Sequence, residues 1–215
     1  RSMTLTRRQA VAVIGTLGAA TISGCASLPG NRPPPRFFNL SPKSQFDQQA
    51  PTVSWQMVIE TPTASAGLST MRIALQRRLH ELEYFAQANW VDTAPKMVQT
   101  LIIESFENSG RIVAVGRESV GLRADFTLKT ELREFQVDYI KDGNPRARVA
   151  VSAKLVRMPK RMIVGSWGDQ SYVKADDSTL EAVVAAFDQS LGKVMKRLVT
   201  WTLVRGQEVI QAELD

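Results

Sequence analysis

A lone cysteine, Cys25, carries the clearest chemical signal in the sequence. It follows the small residues Ser23 and Gly24, an apolar stretch from Ala10 to Ile22, and a basic start at residues 7–8. A basic segment, an apolar core and small residues before a cleavage point are the parts of an export signal. A cysteine directly after the small residues looks like a bacterial lipobox, in which the thiol takes a diacylglyceryl group. We therefore predict a signal peptide over residues 1–24 and lipidation of Cys25.

Two alternatives to the lipid anchor are a membrane-spanning signal anchor and an unmodified, buried cysteine. A span needs about 20 mainly apolar residues, whereas the apolar stretch here has 13 and contains Gly and Thr. Two or more acyl chains hold a protein stably at a bilayer. Ser27, rather than Asp, follows Ala26, which under enteric sorting favours the outer membrane; the inner membrane is the alternative. The Arg7-Arg8 pair leaves both Sec and twin-arginine export open.

The basic excess of the chain belongs partly to this N-terminal segment. Lys and Arg number 27 against 21 Asp and Glu, a net charge of +6. Removal of residues 1–24 takes away three arginines and leaves a net charge of +3. Such a mild excess over about 190 residues gives no electrostatic case for a nucleic-acid partner.

The residue types needed for catalysis or metal binding are sparse. His80 is the only histidine and Cys25 the only cysteine, so a multi-histidine or multi-cysteine metal site is excluded. A Ser-His-Asp triad has His80 as its single candidate base, and this residue lies at a predicted hairpin turn. Asp176 and Asp177 are explained as acidic residues at a helix start. We expect a non-enzymatic protein with no catalytic residues, no metal and no cofactor.

The elements that follow the cysteine predict a tether and one folded domain. Four prolines between positions 29 and 35 favour a semi-rigid polyproline II spacer, and a flexible tether is the alternative. We expect residues 25–36 to form the lipidated tether. We expect an α+β domain over 37–205, a mainly antiparallel sheet packed against two helices, followed by a C-terminal tail over 206–215. Alternating apolar residues predict strands near 55–59, 71–75, 81–85, 125–140, 147–155 and 163–173.

Three local patterns sharpen this prediction. The apolar alternation in 125–140 changes phase, which indicates a β-bulge near Arg133-Glu134. A helix over about Ala94 to Asn108 is expected, capped by Asp92. The last helix begins with a Ser178-x-x-Glu181 capping box, and apolar residues recur at helical spacing as far as Trp201.

The strand at 147–155 presents a basic face. Arg146, Arg148 and Lys154 alternate with the apolar residues of that strand, so they lie on its outer side. This face is a candidate for docking an acidic partner or anionic headgroups, and a solvated sheet face is the alternative.

A series of short segments, taken in order and together with the lipobox, resembles the ABC-type transport auxiliary lipoprotein family, the PqiC-like partners of intermembrane lipid-transport (MCE) systems. The segments are Phe37-Phe38-x-Leu40, Gly67-Leu68…Arg72-Ile73, Tyr84…Trp90, Ser105-Phe106-Glu107-x-Ser109-Gly110, Ala124-Asp125-Phe126-x-Leu128 and Ala185-Ala186-Phe187-Asp188…Trp201.

The resemblance implies an outer-membrane lipoprotein that faces the periplasm. It would meet an MCE-domain periplasmic protein and an ABC permease and ATPase complex, and would dock or gate the outer end of a lipid conduit. Members of the family form rings, so Tyr84, Phe85 and Trp90 are hypothesised to face partners. The alternative function is a lipid- or solute-binding carrier acting on its own, which needs a preformed apolar cavity.

Overall fold

In the part of the chain that the structure describes, two helices and a mixed β-sheet enclose one hydrophobic core. The structure is a computed structural model that describes residues 34–46, 50–118, 123–139 and 144–215. Helix α1 spans Ala94–Ser109 and helix α2 spans Leu180–Ala212. The strands of the described residues are β1 Arg36–Phe38, β2 Gln56–Ile59, β3 Thr63–Ala64, β4 Arg72–Arg78, β5 Glu81–Trp90, β6 Ala114–Gly116, β7 Phe126–Asp138, β8 Arg146–Arg157 and β9 Met162–Lys174.

Strand β7 organises the sheet. On one side it pairs antiparallel with β8 from Phe126 to Asp138, and β8 pairs antiparallel with β9. On its other side β7 meets β2, β3 and β4 one after another, all parallel to it. Strands β5 and β1 continue the sheet beyond β4, and β6 continues it beyond β2. The longest ladders are antiparallel, and the predicted α+β architecture with two helices is confirmed.

The predicted β-bulge is present in β7. The pairing passes from Leu132 opposite Val151 to Glu134 opposite Ala150, so Arg133 is the extra residue. An extra residue in a period-2 strand moves the following side chains to the other parity. Leu132 before the bulge and Phe135 after it are therefore both buried in the core.

The N-cap of each helix lies one residue later in the sequence than predicted. Thr93 is the N-cap of α1, and Asp92 accepts a hydrogen bond from the Thr93 amide. Thr179, rather than Ser178, caps α2, because its Oγ1 accepts from the Ala182 amide at 3.3 Å.

Helix α2 is longer than the apolar spacing alone indicated. It continues without interruption to Ala212, so residues 206–212 of the expected tail are helical. Packing explains the extension, since Gly206 lies against the ring of Trp55 and Val209 and Ile210 pack against the core. Neither of the described helices is long and apolar enough to span a bilayer.

The strand directions give this domain two ends. At the end that we call the near end, β7 finishes at Asp138, opposite Arg146 at the start of β8. Strand β4 runs parallel to β7 with Gln76 beside Asp138, so the β4–β5 turn also lies there. At the far end, β9 begins at Met162 and α2 finishes.

Candidate partner-binding surface

The outer face is the side of β7, β8 and β9 that faces away from the core. Along β8, alternate side chains point into the core and are buried: Ala147, Val149, Val151, Ala153 and Leu155. The intervening side chains point outward, and Arg146 and Lys154 among them are exposed. The alternation of residues predicted a half-buried strand with a polar outer side, and β8 has this form.

Arg148 is not a free cation on this face. Its guanidinium forms a short ion pair with Glu134 and lies 3.6 Å from Asp138 of β7. It also lies 5.4 Å from the centre of the Tyr172 ring on β9. Burial raises the pKa of Asp138, and the positive charge of Arg148 only partly opposes this effect. Arg148 therefore balances two half-buried carboxylates, and its charge is compensated within the domain and not available to a partner.

Lys154 lies in an open groove of about 590 Å³ on the outer face. Most of its lining residues are polar or charged types, and they come from β7, β8, β9 and the segment around β3. Two cations of the groove are already paired, Lys129 with Glu60 at 2.7 Å and Arg133 with Glu131 at 3.0 Å.

The Glu131 carboxylate is the acceptor at the centre of the groove. Arg133 and Ser152 both donate hydrogen bonds to it and hold its pKa below the usual value. Lys154 adds a weaker electrostatic contribution in the same direction, and no ion pair joins it to another described residue. The groove can receive a polar or anionic group, with Lys154 as its available cation and the Ser152 and Ser166 hydroxyls beside it.

Arg146 lies at the near end of the outer face. It is opposite Asp138 on β7 and Lys174 on β9, and it is exposed. The three basic residues predicted on one face of β8 are thus present there, but they differ in role: Arg146 and Lys154 are accessible, whereas Arg148 is engaged.

Tyr84 and Phe85 are half-buried on β5, away from the outer face of β7–β9. The Tyr84 hydroxyl donates to the Gly67 carbonyl at 3.0 Å, and the Arg72 guanidinium lies 3.8 Å above its ring. Phe85 contacts Tyr139 with ring centres 6.3 Å apart. Both aromatic side chains therefore already have contact partners within the domain.

The hypothesis that Trp90 faces a partner is wrong for this domain, because Trp90 is completely buried. Its ring lies 5.5 Å from that of Phe135 and 5.2 Å from that of Phe187, the latter edge-on. The three rings come from β5, β7 and α2, which meet only in the folded chain. Strand β1 pairs with β5 beside this cluster and places Phe38 opposite Trp90.

Cys25 and the tether residues before Pro34 lie outside the described residues, so the lipidation of Cys25 stays a prediction. Within the described ranges, no group of three His, Cys, Asp or Glu side chains is placed to hold a metal ion. The sequence reasoning missed Lys129, Glu131 and Glu60, which share the groove with Lys154. Charge alternation along β7 was the available signal for Lys129 and Glu131, but the contribution of Glu60 depends on the pairing of β2 with β7.

Comparison with known proteins places the domain in a family. Residues 38–199 match the ABC-type transport auxiliary lipoprotein component family. A crystal structure of a Xanthomonas campestris protein of the DUF330 family superposes with a TM-score of 0.78 at 30% identity, covering 82% of this chain and 99% of that one. The crystal structure of an uncharacterized protein shares the fold, with a TM-score of 0.62 at 11% identity, and covers 78% of this chain and 97% of that one.

A relative of similar sequence is longer than this chain. An uncharacterized protein of Bradyrhizobium diazoefficiens is 32% identical over 167 residues, which are 78% of this chain and 44% of the relative. This chain therefore spans less than half the length of that relative. The family match and the shared fold cover nearly all of the described domain, and the chain belongs to the ABC-type transport auxiliary lipoprotein component family.

Proposed function

We propose that this protein is a lipid-anchored, non-enzymatic auxiliary component of an ABC-driven intermembrane lipid-transport system of the MCE type. The family supports an auxiliary role beside an ABC transporter. The lipobox supports an anchor at Cys25, and Ser27 favours the outer membrane. In this role the domain docks or gates the outer end of a conduit whose other parts are an MCE-domain protein and the ABC permease and ATPase.

The open groove on the outer face is the observation that supports the docking part of the proposal. Helices cover one face of the sheet, while the groove on the other face is open and presents Lys154 beside the paired charges of Glu131 and Arg133. A rigid polar surface with one available cation suits a partner that offers a carboxylate or another anionic group, since charge complementarity gives orientation and specificity. Arg146 extends the positive character toward the near end.

Co-purification tests the proposal. Tagged full-length protein is expressed in its own host and extracted from membranes in mild detergent, and the associated proteins are identified by mass spectrometry. We expect an MCE-domain protein together with ABC subunits. Lys154→Glu should reduce their recovery, whereas Lys193→Glu, on the exposed side of α2, should leave recovery unchanged because that residue is not part of the outer face.

Two results would contradict parts of this function. Equal recovery of the partner proteins with Lys154→Glu and with Lys193→Glu would show that the groove is not part of the docking surface. Protein that purifies alone, with lipid bound at one molecule per chain in native mass spectrometry, would instead establish the carrier function. Ring formation by several copies is a further part of the proposal, and the mass of the detergent-extracted complex measures the number of copies.

A further inference from the structure

The turn between β4 and β5 presents leucine to solvent at the near end of the domain. Leu79 is 81% exposed and Leu82, at the start of β5, is 41% exposed. By contrast, Leu75 on the same hairpin is 2% exposed. One exposed leucine is ordinary on a protein surface, so its meaning depends on where the turn lies and on its neighbours.

Two arginines stand beside these leucines. Arg77 and Arg78 have side chains that are 59% and 77% exposed, and each is joined to one glutamate of β5, Glu83 at 3.3 Å and Glu81 at 3.1 Å. Ion pairs this exposed are weak, so the guanidinium groups can exchange their carboxylates for other anions. Leucine at a tip with arginine behind it is the combination that an amphipathic surface uses at the boundary between lipid headgroups and acyl chains.

The turn also lies on the side of the domain from which β1 runs into the sheet. Strand β1 runs parallel to β5 with Arg36 opposite Ala88, so β1 runs away from the near end and its first residue is the one nearest to that end. The distance along β5 from Ala88 back to Glu81 is about 23 Å at about 3.3 Å per residue. The chain from Cys25 to Arg36 can extend about 34 Å as polyproline II. An anchored bilayer is therefore within reach of the turn.

We propose that the β4–β5 turn docks on the bilayer that holds Cys25. Leu79 and Leu82 enter the headgroup region, and Arg77 and Arg78 contact lipid phosphates. This inference rests on the lipid anchor of the proposed function. Two points of attachment, the acylated cysteine and the turn, fix the orientation of the domain, so that the far end faces away from the membrane and toward the transport assembly.

Site-directed fluorescence in vesicles tests the docking. Full-length protein with Leu79→Cys is purified from membranes and labelled with bimane, which reacts only at the introduced thiol when Cys25 is acylated. It is reconstituted into vesicles of phosphatidylethanolamine and phosphatidylglycerol with a fraction of nitroxide-labelled phosphatidylcholine. Met162→Cys, at the far end and 57% exposed in the native protein, is the matched control. We expect quenching by the nitroxide lipid to be several-fold stronger at position 79 than at position 162.

The outcomes separate this inference from the function on which it rests. Weak, equal quenching at both positions, with acylated Cys25 confirmed by intact mass, overturns the docking and leaves the lipid anchor standing. A position-79 probe that is shielded from water but not quenched by the nitroxide lipid also overturns it, because a protein partner then covers the turn. An unmodified Cys25 in the intact mass overturns both the anchor and the docking.

Discussion

Two glycines of α2 should respond to the same substitution with opposite signs. A Cβ at Gly206 would lie 2.5 Å from Cζ2 of Trp55, whereas a Cβ at Gly192 would have its nearest neighbour 3.9 Å away. The Trp55 side chain cannot easily move away, since it is 3% exposed and packs edge-on against Phe126 with the ring centres 4.9 Å apart. Alanine gains about 1 kcal/mol over glycine in a helix interior, while overpacking a fixed core costs about 1–3 kcal/mol.

The expected results follow from these two contributions. Gly192→Ala should raise the free energy of unfolding by about 1 kcal/mol. Gly206→Ala should lower it by about 1 kcal/mol, because an overpacking cost of about 2 kcal/mol exceeds the helical gain of about 1 kcal/mol. For a domain of this size the two variants should differ in Tm by about 4–8 °C.

Thermal and urea unfolding, followed by circular dichroism on full-length protein in detergent, measures both variants against the unsubstituted chain. An equal increase in stability for Gly206→Ala and Gly192→Ala would refute the reasoning. It would mean that residue 206 does not pack against Trp55, and that the last turns of the chain form the solvent-exposed tail that the sequence pattern first indicated.

Three further predictions concern the core, the outer face and the sheet edge. Trp90→Ala should lower the free energy of unfolding by about 3–5 kcal/mol in urea titrations. Phe37→Ala, at a residue 56% exposed, should change it by no more than about 0.5 kcal/mol. A similarly small effect of Trp90→Ala would show that Trp90 is not a core residue. Because burial raises the pKa of Asp138, the stabilisation from its protonated form is complete below the unfolded pKa and is lost as pH rises through the folded pKa. Asp138→Asn should therefore gain stability relative to the unsubstituted protein as the pH rises above about 4, and a difference in unfolding free energy that stays constant with rising pH would contradict this. Arg197 and Arg205 of α2 donate to the backbone carbonyls of Gln170 and Val164 on the edge strand β9, so replacing both with alanine should expose that edge and increase light scattering on heating; unchanged scattering would show that the edge is protected by other means.

Local patterns were sufficient where the signal depends on one segment. The phase change between Leu132 and Phe135 located the bulge, because side-chain alternation is a property of a single strand. The same holds for α1 from Ala94 and for the basic outward residues of β8. The cap of α2 was placed one residue early because Ser178 and Thr179 are both good N-cap residues, and sequence alone does not choose between neighbours.

The sequence by itself indicated both helices, six of the nine described strands and the α+β class, since these depend on residue order and periodicity. The family followed from the resemblance of several segments taken in order, and the anchor at Cys25 stays a prediction. Only the tertiary structure decided which side chains are available. Trp90 is a core residue because β5, β7 and α2 bring three rings together. Arg148 is not available to a partner because β7 places Glu134 and Asp138 beside it. Burial and charge pairing arise between segments distant in sequence, and no local pattern contains them.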